Sequence, residues 1–450
     1  MTSLFDQSIL STTAERLVEA AKRAGADAAD AIAVRGISQS ITVRDDIVEE
    51  SKRSEGDNVG LRAFVGRRQA LVSTNNPTGE GAQALAERAV AMARAAPEDQ
   101  YAGLAERDLL ARTIPDLDLL DIALPDVDAL EELARTAERA ALAIPGVTKS
   151  SGASASAGIG GVVLVTSEGF RGAYLGSSHG VSMQAIAGEG TAMETDYDFS
   201  SARHAADLEG AEKIGRTAGE RAVRRLNPRK VTTRRVPVIY DRRVAASLIG
   251  HLAAAINGSA IARKTSFLRG HLGDRIFAAG ISVIDDPLRR RGLRSQPFDA
   301  EGVATSRRAL IDDGVLTSWV LDCASARELS LKTTGNAQRG VSSAPGPGVS
   351  NLHLAPGRLT PRDLISGISD GFYVTDLIGM GANVVTGDYS RGAAGFWIER
   401  GELTYAVSEV TIASNLPDMF RTLAPANDLK FRQGINAPTV LVEEMTVAGV

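Results

Sequence analysis

Strand-like and helix-like stretches in this chain come in blocks, and that order narrows its possible folds more than any other feature. Partial period-two patterns run from Ala31 to Thr74 and again from Lys149 to Ala187, whereas alanine-rich stretches with helical spacing cover residues 80 to 96 and 126 to 143. A doubly wound parallel sheet needs strand and helix to alternate, and the repeated βαβ rhythm is missing, so the pattern predicts an α+β fold. The 45 glycines favour many turns and hairpins over a helical bundle. At 450 residues the chain exceeds a single hydrophobic core, which predicts two domains. The break falls near residue 230, where Asn227-Pro228 stops a helix expected over 205 to 225 and Val236 to Tyr240 begins a strand. Residues 1–230 then form an N-terminal mixed sheet-plus-helices domain, and 231–450 a β-rich, largely antiparallel one.

Local signals add detail. Thr12 to Glu15 read as a capping box ahead of Leu17, Val18 and Ala21, with a stop at Gly25. Residues 149 to 187 read as three strand segments, the Ser/Gly/Ala-rich start being strand and turn rather than linker. Further helices are expected at 241 to 257, 361 to 368 and 415 to 424. A net charge of -5 removes any general electrostatic reason to bind nucleic acid, and the basic clusters at 224 to 243 and 288 to 294 read as solvated faces. Cys323 is the only cysteine, so no intrachain disulfide forms, and its apolar setting suits a small buried hydrophobe better than a nucleophile. Neither a secretory signal nor an apolar run of about 20 residues is present. The expectation is a cytoplasmic protein without membrane contact.

Two regions bear on chemistry. The first is GANVVTGDYSRGAAGFWIERGEL, residues 381 to 403, where Gly387, Gly392 and Gly395 permit close approach and Phe396 to Ile398 read as strand. Asp388, Tyr389, Ser390 and Arg391 either line a peptide-binding chamber or sit in a turn in which Asp388 caps its own amides. The second is Gly250-His251-Leu252-Ala253-Ala254-Ala255. A helical zinc peptidase needs two imidazoles on one helix and a glutamate to deprotonate the bound water. The five histidines, at 179, 204, 251, 271 and 353, are never four or five residues apart, and none precedes a glutamate, so that kind of site is excluded. His251 alone reads as a helix-embedded histidine. The polar loop KTTGNAQRGVSSAPGPG, residues 332 to 348, lacks a phosphate-loop ending.

The 381–403 stretch resembles the C-terminal signature of the TldD/TldE (PmbA) family of bacterial peptidase proteins. LIGHLAAAINGSAIARKTSFL resembles the segment where the family's catalytic members carry His-Glu, three residues and His ahead of an Arg-Lys pair. In the register set by Arg263 and Lys264, Gly250 and Ala255 replace the two histidines and His251 takes the glutamate's place. This is the pattern of the non-catalytic TldE (PmbA) branch. The resemblance implies a TldD-like catalytic partner that carries the zinc, no cofactor in this chain, and small or unfolded polypeptides as substrates. It also implies chamber roles for Asp388, Tyr389, Ser390 and Arg391, and for Asn336, which matches the family's Ser/Thr-Thr-Gly-Asn segment. The rival reading is a homodimeric peptide-binding protein without a peptidase role. A third is hydrolysis by this chain itself through Cys323 or a dispersed metal site.

Overall fold

The computed structural model describes residues 6–76 and 81–449, and it is an α+β protein. The first sheet is built from β1 (Ala28–Arg44), β2 (Ile47–Val65), β3 (Arg68–Thr74), β4 (Val147–Thr166), β5 (Arg171–Ala187) and β6 (Glu194–Ala202). Its order is β3-β2-β1-β4-β5-β6, antiparallel throughout. Asp45 and Asp46, at φ 53° and 60°, make the two-residue turn between β1 and β2. Two consecutive left-handed residues match the right-handed twist of the flanking strands. The buried carboxylate of Glu138 accepts hydrogen bonds from both of their amides, at 2.9 and 2.8 Å.

One face of this sheet carries four helices. Leu10, Ala14 and Leu17 of α1 (Ser8–Arg23) and Ala86 and Ala89 of α2 (Gly81–Ala95) pack on Ala31, Ala33, Leu61 and Ala63. Farther along, α3 (Val127–Leu142) and α4 (Ala211–Arg224) bury Ala134, Ala137, Ile214 and Ala218 against Ile41, Ala155 and Met183. Alanine and glycine let these helices approach closely: a Cβ on Gly215 would lie 1.8 Å from the Ala137 carbonyl oxygen.

The rest of the chain forms a sheet in the order β16-β15-β14-β7-β19-β17, from β7 (Arg234–Tyr240), β14 (Asp370–Ile378), β15 (Asp388–Glu399), β16 (Glu402–Asn415), β17 (Ala424–Pro425) and β19 (Val440–Ala448). β16 also pairs with β19, so the sheet curls back on itself. Between its strands lie β8 (Val283–Asp285), β9 (Arg308–Asp312), β10 (Val315–Leu316), β13 (Leu352–Leu354) and β18 (Ile435–Asn436), a second sheet, and the pair β11 (Ala337–Gln338) and β12 (Gly346–Pro347). Most ladders here are antiparallel; β14 with β7 and β13 with β18 are parallel. Helices α5 (Arg242–Ala255), α6 (Gly258–Ala262), α7 (Cys323–Glu328), α8 (Pro361–Ser366) and α9 (Leu416–Thr422) complete this half. Leu248, Ile249 and Leu252 of α5 join Tyr240, Phe372, Tyr389 and Trp397 in one apolar core.

Three local expectations change. Helix α1 starts at Ser8 with Gln7 at its cap, so Thr12 to Glu15 lie inside it, and Thr13 bonds back to the Ile9 carbonyl at 2.8 Å. Residues 147 to 166 run as a single strand, paired with β5 along its length and with β1 from Ala153 onward, with a bulge at Gly152, φ 117°. The basic clusters are not simply solvated. Arg243 is buried in an ion pair with Asp196 at 2.6 Å, and Arg290 and Arg291 reach Asp118.

Candidate functional site

The helix that resembles the zinc-motif segment is fixed at its start by Asp241, whose carboxylate accepts from the Arg243 amide at 2.9 Å and from the Tyr373 hydroxyl at 2.9 Å. Burial alone would raise the Asp241 carboxyl, but Arg243 beside it and these hydrogen bonds hold it below the usual carboxylate range. Along α5, Ala255 is buried, and its carbonyl accepts from the Ser266 hydroxyl at 2.6 Å. Gly250 has room to spare: an added Cβ would meet nothing nearer than Ile435, at 4.0 Å. His251 is half-buried, and its Nε2 has no hydrogen-bond partner among the described residues. Burial first, and Arg391 second, pull its pKa below the ordinary imidazole value, so the ring is neutral at pH 7.

The signature strand lies against this helix. The rings of His251 and Tyr389 meet edge to face with centroids 5.9 Å apart. Tyr389 is buried, and its hydroxyl sits near Tyr240 and Arg391 without geometry that completes a hydrogen bond. Arg391 leaves Nε unpartnered and directs Nη2 toward the Leu377 carbonyl at 3.5 Å. Alternation along β15 separates the four residues: Tyr389 and Arg391 face the helix, whereas Asp388 and Ser390 are exposed. The turn before the strand is capped by Asn383, whose side-chain oxygen accepts from the Val385 amide at 2.9 Å. Asp388 instead accepts from the Thr386 hydroxyl at 2.6 Å and from Asn415. Its carboxylate therefore does not cap its own amides.

Glycine keeps this wall thin. A Cβ on Gly381 would lie 1.5 Å from the Ser390 carbonyl oxygen, and one on Gly395 would lie 1.9 Å from that of Tyr373. Trp397 closes the far end, its indole N–H donating to Asp370 at 2.8 Å.

Zinc does not fit the residues present at this helix. Gly250 and Ala255 offer no donor atom, which leaves one imidazole where a catalytic ion takes three protein ligands. Among the described residues no three His, Cys, Asp or Glu side chains gather closely enough to hold a metal.

Asn336 lies elsewhere. It is buried, donates to Asp285 at 2.8 Å and to the Gly348 carbonyl at 3.2 Å, and shares no hydrogen bond with 388–391 among the described residues. Cys323 is buried at the start of α7, where burial and then Glu301 and Asp299 push its thiol far above the range of a nucleophile.

Sequence reasoning missed a buried charged cluster between the first sheet and the later half of the chain. Asp30 accepts from Arg62 on β2 and from Arg339, at 2.7 Å, with all three side chains nearly inaccessible. Asp299 lies close by, raised to about 8 by burial and by Glu301, itself raised by burial. Arg339 follows β11 in the polar 332–348 loop, but nothing local ties it to a residue 309 positions away.

Known proteins resemble this chain along most of its length. Residues 233–449, 120–226 and 29–93 match the PmbA/TldA metallopeptidase C-terminal domain, central domain and domain 1. Metalloprotease PmbA of Escherichia coli O157:H7 is 37% identical over 425 residues, covering 94% of this chain and 92% of that one. A metalloprotease TldD homolog of Buchnera aphidicola is 26% identical over 45% of this chain and 44% of its own. A crystal structure from Bacteroides thetaiotaomicron, described as a proposed modulator of DNA gyrase, superposes with a TM-score of 0.90 at 27% identity over 98% of each chain. The chain therefore belongs to the PmbA/TldD metallopeptidase family.

Proposed function

We propose that this chain is the zinc-free, TldE/PmbA-like subunit of a heteromeric peptidase whose catalytic zinc sits in a TldD-like partner. One observation carries the reading: an intact signature strand is packed on a helix whose two ligand positions, Gly250 and Ala255, carry no donor. The similarity pattern supports the branch, since the PmbA relative matches over nearly the whole chain and the TldD relative over less than half. Asp388 and Ser390 are exposed on β15 and offer an acid and a hydroxyl to an extended peptide or to the partner; Tyr389 and Arg391 brace the strand from behind. Asn336 shapes the 332–348 loop rather than touching substrate directly. Substrates are small or unfolded polypeptides, the setting is the cytoplasm, and the two domains divide near residue 230.

Titrating the chain into a TldD-like partner tests this. Cleavage of an unfolded peptide rises and saturates near equimolar subunits. No change in rate at saturating chain overturns the reading, and mass measurement that finds only homodimers in cells favours a free-standing peptide-binding protein.

A further inference from the structure

A cavity of about 400 Å³ lies between the first sheet and the segments around residues 298 and 340. Its walls include Ile32, Val34, Val162, Leu164, Phe298 and Val341, so the body of whatever fills it is apolar. Its polar groups are short of acceptors. Arg339 lines the cavity with a side chain that is 1% exposed, and only Nη1 is engaged, donating to Asp30 at 2.7 Å. Nε and Nη2 have no partner among the described residues. Those two nitrogens form the edge of a guanidinium that grips a carboxylate by parallel hydrogen bonds. Gln296, on the same lining, also has its Nε2 unpartnered.

The local charge points the same way. Asp30 is shared between two guanidinia, those of Arg62 and Arg339. Asp299 also lines the cavity, but its carboxyl oxygens already accept from the amides of Glu301, Val303 and Ala337, and Glu301 accepts from that of Cys323. A buried guanidinium with two idle donors is costly, and an anion on that edge removes the cost.

We propose that this cavity binds a small carboxylate with an apolar body, its acid seated on the Nε and Nη2 edge of Arg339. The sheet supplies an approach. The cavity shares Val34, Asn58, Val162 and Tyr174 with a cleft of about 830 Å³, floored by Gly56, Gly36, Gly160 and Gly176. These four glycines stand in register across β2, β1, β4 and β5. A Cβ on Gly56 would meet nothing within 4 Å, and those on Gly36 and Gly160 would make ordinary contacts at 3.5 and 3.8 Å. The chain's own packing does not demand bare backbone at those three positions. The furrow they leave admits an extended chain, so the carboxylate is either a peptide's C-terminus or that of a free acid.

The site belongs to this chain alone, so its test is independent of any partner. Isothermal titration calorimetry would compare an N-acetylated tetrapeptide ending in leucine as the free acid, the same peptide as its C-terminal amide, and octanoate. The free acid binds about tenfold or more tightly than the amide, the penalty expected for losing a charged hydrogen-bonded pair. Arg339→Lys keeps the charge, loses the fork and abolishes that preference. Val34→Phe fills the cavity and blocks binding while sparing the Asp30–Arg339 pair; thermal melts of both variants report folding. Octanoate binding without peptide binding supports the site and assigns it to free acids. Equal affinity for acid and amide, or no binding of any probe at concentrations on the order of millimolar, overturns the proposal.

Discussion

Gly250 weakens its helix although no neighbour requires bare backbone there, since the nearest atom to an added Cβ is 4.0 Å away. Gly250→Ala raises stability by about 0.5 to 1 kcal/mol, read from a denaturant melt. Gly395 is the opposite case. A Cβ there would lie 1.9 Å from the Tyr373 carbonyl oxygen, so Gly395→Ala costs about 2 kcal/mol or more. Both glycines stand out in the sequence, yet only the strand beside Gly395 and the open space beside Gly250 separate them. His251 was legible as a lone imidazole but not as the neighbour of Tyr389, because that contact joins residues far apart in the chain.

At the scale of elements, hydrophobic spacing located α2, α3 and α5 to within a residue or two, since each buries a regular apolar stripe. For β4 it found strand, with Ala153, Ala155, Ala157 and Ile159 alternating toward the core, but it divided 149 to 187 into three segments where the chain runs as the two long strands β4 and β5. The β1–β2 hairpin depends on distant residues: two left-handed aspartates are held by Glu138 from α3. Glu138→Ala removes a buried carboxylate that takes two amide hydrogen bonds and costs about 2 to 4 kcal/mol, seen as a lower melting midpoint and faster amide exchange at Asp45 and Asp46.

Across the whole molecule, buried titratable groups set a pH window. Asp299 keeps its proton in the folded state up to about 8, whereas the unfolded chain releases it near 4. The folded state therefore binds the extra proton between those values, and stability falls as pH rises through that range. Asp299→Asn flattens this slope, and the buried Glu301, whose pKa is also raised, retains part of it. On the other side, burial lowers the pKa of His179, His251 and His353, so the unfolded state takes up protons first as pH drops below about 6.5 and stability falls again. Urea midpoints across pH 4 to 9 check both signs. The pairing of Asp30 with Arg339 spans 309 positions, and no local pattern discloses it. Block order revealed the fold class; the contacts between the halves came only from the assembled chain.

The most direct test of a zinc-free subunit is elemental analysis of the chain purified alone, without a metal-binding tag, and then in complex with a TldD-like partner. The account predicts a zinc ratio near zero for the chain alone and near one per heteromer, because Gly250 and Ala255 supply no ligands. A ratio near one for the chain alone, lost on mutation of His251, His271 or Cys323, would contradict it.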